Sequence, residues 1–576
     1  MLTSHSRAVL FLSIAATLLV VLSSLGAWGS GPARTENGPG SATKIGPGPL
    51  TPSFRHIPVP MLRSGPTRPL VGKARPPAPN SVVATVPVGT FPAFQAIDAA
   101  NHDIYVVNEA TNNVSVISGT TNRVVATVPV GSEPYAVGYD AVNLDIYVMN
   151  ANSDNVSVIA GATNHVVATI PVGSDPNYLA VDNANDDIYV TNTVSDTVSV
   201  IAGATNQLLT TVPVGVYPYY LAIDTSNHDI YVTNGGTDNV SVISGTTNLA
   251  VGAIPVGTDP DPVAVDASNL DIYVVNTESD NVSVIDGTTN LVVATVPIGS
   301  DANYVAVDPA NHDIYVVNAG SDNISVIDGT TNRLVATVPV GTYPLYLAFA
   351  TSNHDVYVPN FLSENVSVID GVTSAVVASV PVGLFSGAVA FDPINDEVYV
   401  SNSASNTVSV IYAPPTYSLS FVESGLPSGH EWNVTLLHVG KIATTTSTIG
   451  FAVPNGTYSY QIAVGHPQDG YKTAFNGTVT VSGAPETVKV VFTQQQYKVT
   501  FEETGLASGT KWTVATGTGP KTVSGSSANL TIMLPNGTIR WTASASGYDS
   551  PTGTVTVNGS GATVLVTFTS AIGRPP

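Results

Sequence analysis

Cysteine is absent from the 576 residues, which removes disulfides, thiol catalysis and Cys-ligated metal sites together. Its absence does not place the chain in the cytosol, because a large β array buries enough apolar surface without staples. Basic residues are scarce: 18 Lys and Arg stand against 41 Asp and Glu, for a formal net charge of -23 at pH 7. Nucleic acid would be repelled by that balance, and no basic cluster offers a local exception. Charge of either sign is thin, at 10% of residues. Helical periodicity is missing beyond the N-terminal stretch, and neither a glycine-rich phosphate loop nor a nucleophile-elbow sequence occurs.

What remains favours strands and turns. Valine, threonine, serine and asparagine dominate, with 50 glycines and 41 prolines to punctuate them; the chain reads as essentially all-β. Its length exceeds one ordinary domain, so several domains or a repeat array are expected.

Arg7 precedes an apolar run from Ala8 to Leu25, which ends in small residues around Gly26-Ala27. That layout predicts a signal peptide over residues 1–30, or an uncleaved membrane anchor, and an extracellular location in either case. Residues 31–80 are rich in Pro and Gly and predict a spacer. No apolar run follows at the other end, so membrane contact is expected only through the N-terminal segment.

A repeat fills residues 81–411. The hexamer Asp103-Ile104-Tyr105-Val106-Val107-Asn108 returns with its tyrosine at Tyr147, Tyr189, Tyr231, Tyr273, Tyr315, Tyr357 and Tyr399, each step being 42 residues (147 − 105 = 42). Each unit holds four strand-like runs separated by turn residues, which is one blade of a propeller. The strands carry apolar residues on both faces, as a sheet sandwiched between neighbours requires. A Val-Pro-Val-Gly type strand occurs eight times, ending at Gly89 through Gly383. Its first copy precedes any tyrosine motif, and no copy follows the last short strand. The expected solution is eight blades, with residues 82–88 pairing into the last one and closing the ring; seven blades with a displaced unit is the alternative.

The copies Tyr189-Val190-Thr191-Asn192 and Tyr231-Val232-Thr233-Asn234 spell Y-V-T-N. Over residues 81–411 the sequence resembles the YVTN family of β-propellers, common in archaeal surface-layer proteins. That resemblance implies a propeller and a cell-envelope setting. Related propellers also occur in lactonases and in nitrous-oxide reductase, so it does not fix a function.

Two further units follow, at residues 416–494 and 495–570. Phe421-Val422-Glu423-Ser424-Gly425-Leu426 matches Phe501-Glu502-Glu503-Thr504-Gly505-Leu506, and Trp432 matches Trp512. Two small β-sandwiches with one buried tryptophan each are expected. They are similar to the immunoglobulin-like and PEGA-like modules of archaeal surface proteins.

Chemistry is harder to find. Sets such as Asp98-Asn101-Asp103 and Asp308-Asn311-Asp313 could gather around calcium, yet they recur in most blades and lack a bidentate glutamate, so turn chemistry is expected. His102, His228, His312 and His354 sit near the same turns and read as solvated loop residues; no metal or cofactor is expected. The loops after each Val-Pro-Val-Gly strand are different, because they vary. They lead into the innermost strands and should line one mouth of the central channel. They supply Tyr135, Asp175, Tyr178, Tyr217, Tyr219, Asp259, Asp261, Asp301, Tyr304, Tyr343 and Tyr346 as candidate funnel residues. Aromatics with carboxylates suit a surface glycan, a peptide or an envelope protein; the competing reading is that the tyrosines plug the channel. Sequons occur at Asn113, Asn155, Asn239, Asn281, Asn323, Asn365, Asn433, Asn455, Asn476, Asn529, Asn536 and Asn558. In an exported protein these are candidate N-glycosylation sites, although those in the repeat could be its by-product.

The first functional expectation is a secreted or surface-attached non-catalytic protein with a structural or adhesive role. The second is a secreted propeller enzyme of lactonase-like hydrolase type, with Asp259, Asp261 and Asp301 holding a metal ion.

Overall fold

The computed structural model describes residues 78–437, 439–465, 470–471, 475–517 and 521–571. The segments read as signal peptide or anchor and as spacer lie outside the described residues, apart from residues 78–80. Among the described residues no helix is long and apolar enough to cross a membrane.

Eight four-stranded antiparallel sheets form the propeller. Blades 1 to 7 are each continuous in sequence; blade 1 runs Pro92–Ile97, Asp103–Asn108, Asn113–Ser118 and Arg123–Pro129 from the channel outward. Blade 8 takes Ser386–Asp392, Glu397–Asn402 and Thr407–Tyr412, then borrows Ser81–Pro87 as its outer strand. Ser81 pairs with Tyr412 and Pro87 with Thr407. The ring has eight blades, not seven, and closes through its N-terminal strand.

Each blade buries both faces. Tyr105 packs with Ile146, Val148 and Ile159 of blade 2, and seven equivalent clusters continue around the ring to Tyr399 against Ile104 and Val106. All eight motif tyrosines are fully buried. A buried phenol needs a partner, and the next blade supplies it. Seven hydroxyls donate to an asparagine side chain of the following blade at 2.5 to 3.0 Å, Tyr105 to Asn164 and Tyr273 to Asn332 among them. Tyr357 closes the series on Asn80, just ahead of the borrowed strand. Those asparagines all sit at positive φ, from 52° to 57° for Asn80, Asn164, Asn290 and Asn332, which asparagine tolerates best among residues with a side chain. Tyr273→Phe should cost about 1 kcal/mol, read as a lower denaturation midpoint at unchanged slope.

The motif asparagine explains the repeat's sequons. Asn108 is buried, and its amide donates to Asn113 Oδ1 at 2.8 Å and to Ser115 Oγ at 3.0 Å. The same pair joins Asn150 to Asn155, Asn234 to Asn239, Asn276 to Asn281, Asn318 to Asn323 and Asn360 to Asn365. Blades 3 and 8 lack a sequon there, and Thr197 and Thr407 accept the bond instead. Asn and Ser stand at these positions because the buried amide needs two acceptors.

The opposite face of the ring carries the Asp-Asn turns. Asp98 Oδ1 accepts the Ala100 N–H and Asn101 Oδ1 accepts the Asp103 N–H, both at 2.8 Å. The histidines there are not merely solvated: His228 Nδ1 lies 3.0 Å from Asp182, His312 Nδ1 3.2 Å from Asp266 and His102 Nδ1 3.5 Å from Asp392, each aspartate belonging to the preceding blade. They tie blades together, a role that needs the ring's geometry to be seen.

Two β-sandwiches follow. In the first, a three-stranded sheet holds Tyr417–Ser424 between Thr448–Val453 and Glu486–Val491, facing a four-stranded sheet built on Trp432–Leu436 and Gly456–Val464. Trp432 is buried among Leu419, Phe421 and Ile462, with its indole N–H on the Thr446 carbonyl at 2.7 Å. The second repeats the plan around Trp512.

Candidate functional site

The chain turns from each outer strand into the next inner strand on one face of the ring, and the turn is alike eight times over. Its apex residue, Phe91, Glu133, Asp175, Tyr217, Asp259, Asp301, Tyr343 or Phe385, has φ between 52° and 61°. Left-handed backbone is costly for such side chains, and hydrogen bonds hold it in place. At six of the eight apices the N–H donates to an Asn or Asp side chain of the preceding blade, Asp259 to Asp238 Oδ1 at 3.0 Å and Tyr343 to Asp322 Oδ1 at 2.8 Å among them. These eight turns form the rim of that face.

Within this rim lies an open cavity at the mouth of the central channel. Of the predicted funnel residues, Tyr135, Asp259, Asp261, Asp301, Tyr343 and Tyr346 line it. Tyr178 and Tyr304 sit lower, along a second cavity within the channel, which Tyr346 also borders. Asp175, Tyr217 and Tyr219 line neither cavity. Tyr217 stays on the outer rim, 45% exposed, and Tyr219 is buried against Gly235. Tyr135 and Tyr346 also pack on Phe94, which meets them edge-on at 5.1 and 5.0 Å, and Tyr220 lines the mouth beside them.

Glu109, Thr277, Phe361 and Ser403 also line the mouth, and the funnel loops do not contain them. They follow the motif asparagine directly, at a position that reads Glu109, Ala151, Thr193, Gly235, Thr277, Ala319, Phe361 and Ser403 around the ring. A position that changes in nearly every copy beside one that never changes was the available signal.

Glu109 is a strongly perturbed carboxyl here. Burial against the aromatic wall, with the Glu133 charge added, raises its pKa to about 7. The Tyr135 hydroxyl beside it is pushed up to about 12, mainly by burial. Four carboxyl side chains thus share the mouth with aromatic rings, and among the described residues no Lys, Arg or His lines it. Among the described residues no three His, Asp or Glu side chains converge closely enough to hold a metal ion. The metal triad of Asp259, Asp261 and Asp301 is therefore corrected: those side chains face one cavity from blades 5 and 6 without forming a ligand set.

No family model matches the chain, and no curated protein matches its sequence. Solved structures do resemble it. Hydrazine synthase of Kuenenia stuttgartiensis is similar at 21% identity and a TM-score of 0.41, over 48% of this chain and 95% of that one. The dihydro-heme d1 dehydrogenase NirN, in complex with DHE, is similar at 15% identity and a TM-score of 0.47, over 57% of this chain and 76% of that one. Both names are those of enzymes, and the expectation of a non-catalytic structural or adhesive protein is not borne out. At these identities the likeness shows the propeller fold alone and assigns no reaction.

Proposed function

We propose that the chain is an exported propeller hydrolase of lactonase-like type that opens a small neutral ester or lactone at the channel mouth. The observation that carries this reading is Glu109, a carboxyl with its pKa raised to about 7 in a cavity shared with Asp259, Asp261 and Asp301. Carboxyls held in unlike environments divide acid and base work between them. Glu109, half protonated near neutrality, donates to the leaving oxygen. An aspartate of the opposite wall, Asp259 or Asp301, takes a proton from the attacking water. The oxygen of that water adds to the acyl carbon, the ring C–O bond breaks, and the alkoxide collects the Glu109 proton to leave a hydroxy acid. The Tyr135 hydroxyl, too weak an acid to ionise there, supplies a hydrogen bond to the carbonyl oxygen as negative charge develops.

Charge supports the same choice of substrate. A mouth with four acidic groups and no cation disfavours an anionic ligand, whereas a neutral lactone enters freely and its carboxylate product is repelled. The Y-V-T-N copies and the apolar N-terminal run support a YVTN-type propeller working outside the cell.

The test is a pH-stat assay of the full chain on γ-butyrolactone and δ-valerolactone. Turnover should fall as pH rises through about 7, because the acid form of Glu109 is then lost. Glu109→Gln should lower kcat by about 100-fold without loss of fold. Neither lactone being opened, or an unaltered rate in Glu109→Gln, would sink the reading.

A further inference from the structure

One level of the mouth is divided into two arcs of opposite character. Two residues past the apex, the chain places Asn177, Asp261 and Asn303 on blades 3, 5 and 6, and Leu345, Gly387 and Ala93 on blades 7, 8 and 1. All six line the mouth. The second arc is apolar, and the rings of Phe91 and Phe94 on blade 1 and of Tyr343 and Phe361 on blade 7 border the same cavity. The backbone is not what separates the arcs. In blades 3, 5 and 6 the register slips at this point: Pro176 pairs with Asn192 but Leu179 with Val190, Pro260 with Asn276 but Val263 with Val274, and Ala302 with Asn318 but Tyr304 with Val317. The same slip occurs in blades 1 and 8. A bulge re-aims the side chain of the residue that the ladder skips, so each blade presents to the mouth whatever side chain stands there.

The two amides are the informative members. Asn177 is only 8% exposed, and among the described residues no hydrogen bond reaches its side chain. Oδ1 of Asn303 is buried and likewise unbonded. A buried amide without a partner weakens the fold, and the same position is filled by alanine, leucine or glycine in blades 1, 7 and 8. Packing therefore does not call for asparagine at either place. Both amides carry donors and an acceptor, and the Asp261 carboxyl, between them around the ring, adds further acceptors. A ligand that answers this mouth bears several hydroxyls on one side and C–H groups on another. A neutral pyranose does. Each hydroxyl donates to a carboxylate or amide oxygen and accepts from an amide N–H, while the C–H face of the ring packs on aromatic walls. A bare aliphatic ring would leave both amides unsatisfied, and an anion would be repelled by the carboxyls.

We propose that the mouth holds a neutral pyranose, its hydroxyls on Asn177, Asp261 and Asn303 and its C–H face on the rings of blades 1 and 7, so that the ester opened there is an acyl group carried by a sugar. The ester rests on the hydrolase reading, and the sugar rests on the two arcs. In that reaction the oxygen of water adds to the acyl carbon and the bond from that carbon to the sugar oxygen breaks. The sugar oxygen takes the Glu109 proton, and the acyl group leaves as the free acid. The proton that the aspartate drew from water returns to Glu109 through solvent, which restores both carboxyls. Asn177 and Asn303 are specificity-determining residues here and take no part in bond making.

Calorimetric titrations on the full chain test this without turnover. At least one of methyl β-D-glucopyranoside, methyl β-D-galactopyranoside and methyl α-D-mannopyranoside should bind with a Kd of about 1 mM or tighter. It should bind at least about 20-fold tighter than oxane, the same ring without hydroxyls. The double variant Asn177→Ala, Asn303→Ala should weaken that glycoside by about tenfold or more and leave oxane unchanged. Its melting temperature should stay level or rise, because neither amide bonds within the fold. A fall of more than about 5 °C, or a variant that does not fold, would make the amides structural and overturn the assignment. The native chain is a test by itself: no glycoside bound at about 20 mM, no preference over oxane, or tetramethylammonium bound more tightly than the best glycoside each overturns the pyranose. Failure of lactone hydrolysis with glycoside binding intact would overturn the hydrolase alone, and lactone hydrolysis without glycoside binding would overturn the sugar alone.

Discussion

Deleting residues 78–88 should lower the melting temperature of the propeller by about 10 °C or more, the largest loss expected from any short excision. The segment contributes nothing to the mouth, so the effect would be purely architectural. Ser81–Pro87 pairs with Tyr412 through Thr407, and the bonds continue past its ends, Asn80 N–H to the Tyr412 carbonyl at 2.9 Å and Val88 N–H to the Asn406 carbonyl at 3.0 Å. Val86 sits in one cluster with Val408, Val410 and Tyr399 and with Ile104 and Ile117 of blade 1. Removing it opens a cavity where the last blade meets the first. The Tyr357 hydroxyl would lose Asn80, the side-chain acceptor it donates to, and a buried donor that loses its acceptor costs more than the bond was worth. Blade 8 would also be left with Thr407–Tyr412 as a bare edge, open to pairing with another chain. Asn80→Ala isolates one part of this and should cost about 1 to 2 kcal/mol by chemical denaturation. A synthetic peptide of residues 78–90 added to the truncated chain should recover most of the lost melting temperature. An unchanged melting temperature on deletion would mean that the ring does not depend on this closure.

That closure was legible in the sequence, because a surplus strand at one end and a missing one at the other is a counting argument. The eight blades were legible for the same reason: an unbroken 42-residue period leaves little freedom. The site was legible only in part. Rim positions could be picked as those that vary, yet Asp175, Tyr217 and Tyr219 vary too and line no cavity. Which apex side chain turns inward depends on its backbone and on the neighbour's bulk, and a one-dimensional reading has neither. Tyr219 shows this well: blade 4 follows its motif asparagine with Gly235, and the ring settles over that glycine instead of entering the mouth. Glu109 was hidden because it belongs to the motif strand's end, a stretch read as structural throughout. Pro359 stood in plain view as the one proline in the series, and the inner strand beside it keeps only Ala348–Ala350 regular, which only the sheet reveals.

Acid should stabilise this protein. Unfolded, its carboxyls titrate near 4. Folded, burial raises Glu109 and Asp355 to about 7 and Asp186 to about 6, and pushes Asp103, Asp145, Asp229, Asp271 and Glu397 upward as well. Asp186 shows the cause most directly. Burial is the largest cause, and the neighbouring Asp140 carboxyl of the preceding blade adds to it. A folded pKa above the unfolded one means that the fold binds more protons, so stability falls as pH rises. The contribution is complete below about 4 and is lost as pH climbs through the folded values at about 6 and 7. Asp286 and Asp328 run the other way, lowered by hydrogen bonds from Thr288 and Thr331. Their losses begin only below the ordinary aspartate range, outside the window that matters. Self-repulsion from a net charge of -23 at pH 7 adds to the weakening at higher pH. Glu109 and Asp355, each largely desolvated, together account for on the order of 3 to 6 kcal/mol between pH 4.5 and 7.5. Thermal melts should therefore peak near pH 4.5 and fall by more than about 5 °C by pH 7.5. The double variant Glu109→Gln, Asp355→Asn should flatten that profile mainly by raising its neutral end. A melting temperature that instead climbs from pH 4.5 to 7.5 would contradict the raised carboxyls, and with them the acid form of Glu109 on which the proposed chemistry depends.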